Sequence, residues 1–187
     1  ASPFFFPGAG ATMGGSDPTQ DDLVRANNSI FWASPNLNGF TIMGYAALGE
    51  NTRSNGTKSS TQGNIYNVGV NYGKGPLFVM GSVLYQNLGR SALDFRPSGH
   101  DTYYELSASY DFGVTKPAIQ LEYKNGEDTT WSQDFFLVQI GTTTPMFGGH
   151  LNTTAAYYKN QTLSKSDGYS FGARFDYNLS KRTMVYI

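Results

Sequence analysis

The gaps between extended segments constrain this chain more than any single motif. Runs rich in Val, Ile, Thr, Tyr and Phe fall at 24–34, 39–48, 64–72, 77–87, 102–112, 117–125, 134–143, 149–159, 169–177 and 183–187, and each reads as a strand. Between them short and long connections alternate. Residues 35–38 are short, 49–63 long, 73–76 short, 88–101 long, 113–116 short, 126–133 longer, 144–148 short, 161–168 longer and 178–182 short. A sandwich with Greek-key crossings has no reason to keep that rhythm. An up-and-down sheet whose one rim carries tight turns and whose other rim carries longer loops does, and that is the plan of a membrane barrel.

The strands have two different faces. Tyr66, Val68, Val70 and Tyr72 alternate with Ile65, Asn67, Gly69 and Asn71. In 102–112, Thr102, Tyr104, Leu106, Ala108, Tyr110 and Phe112 oppose Tyr103, Glu105, Ser107, Ser109 and Asp111. In 117–125, Pro117, Ile119, Leu121 and Tyr123 oppose Ala118, Gln120, Glu122 and Lys124. In 169–177, Tyr169, Phe171, Ala173, Phe175 and Tyr177 oppose Ser170, Gly172, Arg174 and Asp176. Every charge inside these last three runs lies on the polar face, as hydrocarbon requires when a lipid-facing charge near the bilayer centre costs about 2–4 kcal/mol. Aromatic residues on the apolar faces sit at strand ends. Trp32, Phe40, Tyr72, Tyr110 and Tyr177 lie beside short turns, and Tyr66, Tyr85, Tyr104, Tyr123 and Tyr169 lie toward long loops. Two belts of amphipathic rings are what two membrane interfaces select.

Composition agrees. The 187 residues suffice for one domain, with only 14% charged, 15% aromatic and 22 Gly. A net charge of −1 asks for no nucleic acid or acidic partner, and the absence of Cys removes disulfides and thiolate metal sites. No apolar run reaches the length of about 18 residues that a membrane-crossing helix needs. A slightly polar mean hydropathy is compatible with a barrel, because half of each strand faces water. The first residues, ASPFFFPGAGATMGG, lack the basic start of a signal peptide and read as an irregular loop, so the chain is expected to begin mid-fold.

At this point a resemblance enters. RANNSIFWASPNLNGFTIMGYAALGE (25–50) resembles the strand–turn–strand that follows the constriction loop in Gram-negative general porins of the neisserial and beta-proteobacterial type. YNLSKRTMVY (177–186) is similar to a late turn of that family, and NYGKGPLFVMGSVLYQ has its hairpin pattern. The resemblance implies an all-β, transmembrane, antiparallel up-and-down barrel of about 16 strands, of which roughly strands 6 to 15 are present here. It further implies a single incomplete barrel domain over 1–187, with 1–22 as an inward-folded constriction loop and 23–187 as barrel strands and loops. The implied activity is passive diffusion of small hydrophilic solutes and ions across the bacterial outer membrane, without enzyme chemistry or cofactor. Homotrimers in contact with outer-membrane lipid and lipopolysaccharide are implied as well. The alternatives are a barrel that transports nothing, such as an enzyme with its site at the outer rim, or a soluble all-β binding protein.

Under the resemblance the chemistry is a width filter with a charged field. Asp17, Asp21 and Asp22 supply acid at or near the end of the inward loop, and Arg25 shares the polar parity of Asn27 and Ser29 at the position of a wall arginine. Arg25 is therefore expected to face the pore near its narrowest point. Lys116, Lys124 and Arg174 are further cationic wall candidates, opposed by Glu105, Glu122 and Asp176. The alternative for each is a solvated lumen charge away from the constriction. His100 and Asp101 fall in an expected outer loop, where one His beside one Asp without a placed nucleophile does not make a catalytic site. His150 has lumen parity, and two distant histidines with no cysteine leave no transition-metal site.

Overall fold

The computed structural model describes residues 28–49, 63–88, 99–126, 134–163, 166–180 and 182–187. The expected inward loop at 1–22 and the start of the expected strand at 24–27 lie outside them. Ten strands follow in order: β1 (Ser29–Ala33), β2 (Phe40–Ala47), β3 (Ile65–Lys74), β4 (Leu77–Leu88), β5 (Gly99–Tyr110), β6 (Lys116–Gly126), β7 (Phe135–Met146), β8 (Gly149–Asn160), β9 (Gly168–Ser180) and β10 (Thr183–Tyr186). They form one sheet in which spatial order equals sequence order, and each neighbouring pair is antiparallel. No described residue is helical. The up-and-down arrangement read from the gaps is the one observed.

Turn chemistry fixes the short rim. β7 and β8 are joined by Phe147 and Gly148 alone, with φ of 50° and 76°. Two successive left-handed residues are the primed turn whose twist matches antiparallel strands. The spacing of the extended runs makes 144–148 a short connection and ends the strand at 143. The strand instead runs through Pro145 to Met146, since the β6–β7 ladder has already ended at Lys116↔Thr143 and little ladder bonding is lost there. At the β1–β2 turn the Asn36 side-chain carbonyl accepts a hydrogen bond from the Gly39 amide at 2.7 Å. Gly39 itself has φ of 106°, and a Cβ there would stand 2.9 Å from the Tyr72 ring, so no other residue fits without strain. β5 begins at Gly99 rather than at 102, so His100 and Asp101 belong to a strand and not to a loop.

The register settles which side chains share a face. Pairing of Tyr66 with Tyr85, Val68 with Val83, Leu106 with Leu121 and Ile140 with Ala155 assembles one continuous apolar surface. Val68 is 63% exposed and Phe171 82% exposed on that surface. Such a face is foreign to water and suited to lipid. Among the described residues, the only Lys, Arg, Asp or Glu with outward parity in the strands are Lys74 and Lys159, and both stand at strand ends. Lys74 donates to the Asn38 side-chain carbonyl at 3.0 Å beside a short turn. Mid-strand hydroxyls on this face satisfy one another across strands, as Thr142 and Thr153 do at 2.9 Å. The belts are visible as ring contacts: Phe40–Tyr72 and Tyr110–Phe112 at the short-turn rim, with centroids 4.6 and 4.7 Å apart, and Tyr104–Tyr123 and Tyr157–Tyr169 toward the other, at 6.2 and 5.0 Å.

The opposite, inward face carries the polar residues and also a small packed core. Tyr103, Phe135 and Leu137 are buried there, flanked by Leu84, Ala156 and Tyr158. These six come from β4, β5, β7 and β8, and they bind the long-connection ends of the strands into one unit.

Replacing Val68 with Lys, in mid-strand on the outward face, should lower unfolding free energy in lipid by about 2–4 kcal/mol. Asn71→Lys on the inward face of the same strand should cost far less. Denaturant titration of bilayer-inserted protein compares the two.

Candidate functional site: the inner wall

Parity sends all remaining strand charges inward, and the register decides how they meet. β5 and β6 run side by side, so that Tyr103 opposes Lys124, Glu105 opposes Glu122, and Ser107 opposes Gln120. Going from the long-connection rim toward the short-turn rim, the wall therefore changes from an aromatic and cationic rung to a doubly acidic rung and then to a neutral polar one.

At the first rung the Lys124 ammonium bonds the Asp101 carboxylate at 2.9 Å, with both side chains almost wholly buried. It also lies 5.4 Å from the centre of the Tyr103 ring, a cation–π contact. Lys124 is thus a wall cation whose charge is answered in place. One rung on, Glu105 accepts from the Gln120 side-chain amide at 3.2 Å and from the Ser82 hydroxyl. Glu122, directly across from it, is buried.

A second polar group occupies β7–β9 nearer the short-turn rim. Arg174 clamps Asp176 with two contacts, Nε to Oδ1 at 2.8 Å and a terminal guanidinium N–H donated to Oδ2 at 2.9 Å. The Asn152 amide also donates to Asp176 Oδ2 at 2.9 Å, and the Thr143 hydroxyl donates to the Asn152 carbonyl oxygen at 2.8 Å. The Arg174 side chain stays 48% exposed, presenting a positive edge to the inward side. His150 pairs with Asp176 in register and is exposed on the same side. Lys116 is half-buried at the short-turn start of β6.

Among the described residues, then, acids and bases alternate along one wall. Glu122 and Lys124 are neighbours on one face of β6, as are Arg174 and Asp176 on β9. Arg25, Asp17, Asp21 and Asp22 lie outside the described residues. Two partners escaped sequence reading. Asp101 was hidden by its assignment to a loop, although its odd number shares the inward parity of Tyr103 and Glu105. Asn152 carries no charge to attract notice, and only the β8–β9 register puts it against Asp176.

A sheet of this topology, apolar outside and polar inside, has a counterpart in known sequences. A family model described as Gram-negative porin matches residues 2–187. The chain belongs to the Gram-negative porin family. As a porin it is 30% identical over 169 residues to the outer membrane porin protein 32 of Delftia acidovorans, covering 89% of this chain and 46% of that protein. Among solved structures it is similar to the anion-selective porin from Comamonas acidovorans, with a TM-score of 0.76 and 26% identity over 89% of this chain and 49% of that one. The chain spans about half the length of these porins. The family is one of channels of the outer membrane and not of enzymes.

The buried ion pair has a measurable weight. Lys124→Met should destabilise the porin by about 3–5 kcal/mol, because the Asp101 carboxylate stays buried without its ammonium. Lys116→Met, which breaks no buried pair, should cost less than about 1 kcal/mol. Unfolding midpoints in a denaturant series distinguish the two.

Proposed function

We propose that this chain is part of a passive diffusion channel that admits small hydrophilic solutes and ions across the outer membrane. One observation carries the reading. In a chain of the porin family, a single sheet keeps its mid-strand outward positions free of charge and collects Glu105, Glu122, Lys124, Arg174 and Asp176 on its inward side. That division suits hydrocarbon on one side and water on the other. In this reading the sheet is the section of a closed barrel of about 16 strands that comprises roughly strands 6 to 15. Closure follows from the cost of leaving strand edges unpaired in lipid.

The narrowing of the pore is assigned to residues 1–22, folded inward, with Asp17, Asp21 and Asp22 on the acidic side and Arg25 on the wall. Lys116, Lys124 and Arg174, with Glu105, Glu122 and Asp176, grade the field along the rest of the lumen. Three such barrels associate as a homotrimer, with lipopolysaccharide against the outward belts. Anion preference is the proposed selectivity. It is supported by the likeness to a porin named as anion-selective. A low-dielectric constriction focuses the field of one charge, so a substitution there weighs more than one at a wide mouth.

Planar-bilayer recording tests this. The protein should produce stepwise conductance in salt, and Arg25→Glu should shift the reversal potential toward cations under a salt gradient without loss of folding or of the trimer. The shift should shrink in about 1 M salt, where the screening length is about 3 Å. An absence of conductance steps would remove the channel reading. An unchanged reversal potential at low salt would move Arg25 away from the constriction.

A further inference from the structure

The doubly acidic rung places like charges side by side, and Lys124 on the next rung offsets them only in part. Glu105 and Glu122 are direct cross-strand partners on the inward face. Residues so placed have Cβ atoms about 4.5–5.5 Å apart, where like charges repel. Glu105 is answered by Gln120 and Ser82. Glu122 is 4% exposed, and its Oε1 is buried with no hydrogen-bond partner among the described residues. A carboxylate oxygen withdrawn from water needs a donor or a cation, or it costs the full desolvation of the group. Lys124, on the same face of β6, is taken by Asp101 at 2.9 Å. On the other side Glu122 pairs in register with Leu137, which offers nothing polar.

We propose that Glu105 and Glu122 hold one hard divalent cation, of the Ca²⁺ type, on the inner wall. Two carboxylates match its charge. The side-chain oxygen of Gln120 and the hydroxyls of Ser82 and Ser107 lie in the same and the adjoining rung as neutral oxygen donors. An all-oxygen donor set selects hard ions over transition metals. Ca²⁺ accepts irregular geometry and mixed carboxylate and carbonyl ligands, whereas Mg²⁺ demands an octahedron and keeps its waters. With only two carboxylates the affinity falls in the weak range of extracellular sites, about 10⁻⁴–10⁻³ M. The bound ion turns an acidic rung into a neutral one and removes two negative charges from the wall. The proposal rests on the channel reading only for the aqueous side from which the ion arrives.

Terbium(III) luminescence excited through tyrosine tests it on the purified, chelator-stripped protein in detergent at pH 7. Wild type should bind terbium saturably and release it to Ca²⁺ at about 10⁻⁴–10⁻³ M. Glu122→Gln, nearly isosteric, should weaken that competition by about tenfold or more, because one of the two ligand charges is gone. Glu105→Gln should do the same, while Asp111→Asn, at a short turn outside the rung, should match wild type. Circular dichroism establishes that each variant is folded. Equal Ca²⁺ competition in wild type and Glu122→Gln overturns the site. So does a wild type that binds no terbium while Glu122→Gln raises its unfolding midpoint, which would mean that a proton satisfies the pair. Loss of conductance with terbium binding intact would sink the channel reading and leave the cation site standing.

Discussion

Hydrocarbon offers no hydrogen-bond partner, so the backbone ladder between adjacent strands is the interaction on which everything else in this molecule depends. The eight inner strands meet that demand by pairing on both sides with their neighbours in sequence. The same demand reaches the side chains. Thr142 and Thr153 face outward in mid-strand and bond to each other, so their hydroxyls enter the apolar surface already satisfied. Lys74 and Lys159 keep outward parity only where the strands reach a rim.

Once the ladder is fixed, the period of two along each strand separates the surfaces, and the cross-strand register decides which residues on one surface touch. The inward side is not uniformly wet. Toward the long connections Tyr103, Phe135 and Leu137 pack as a soluble core would, and the Lys124–Asp101 pair is sealed beside them. Toward the short turns the wall is more exposed and charged, with Arg174 half-exposed over Asp176. The packed part and the exposed, charged part of the wall therefore occupy different heights of the sheet.

The two-faced strands and the alternating connections were legible because they are local and periodic. Tyr66, Val68, Val70 and Tyr72 announce their shared surface without any knowledge of the neighbouring strand. Boundaries were less legible. Residues 144–146 looked like a connection but pair with β8, where the missing amide of Pro145 matters little, and Gly99 to Asp101 looked like loop but pair with β4. The site was legible only by face. That Glu105, Glu122 and Lys124 point inward follows from parity. That Lys124 finds Asp101, that Glu122 meets Glu105, and that Arg174 and Asn152 converge on Asp176 depend on register, which pairs residues many positions apart and leaves no mark in either strand alone.

Strict neighbour-to-neighbour pairing also governs how such a molecule can form. Among the described residues, backbone pairing joins consecutive strands only. The sheet can therefore grow by successive hairpin closures, each spanning a short stretch of chain and each costing little loop entropy. Two-residue links such as Phe147–Gly148 make the cheapest of these closures and are natural points of nucleation. In the proposed barrel, pairing of the first strand with the last is then the single long-range step, and it sets the pace of assembly.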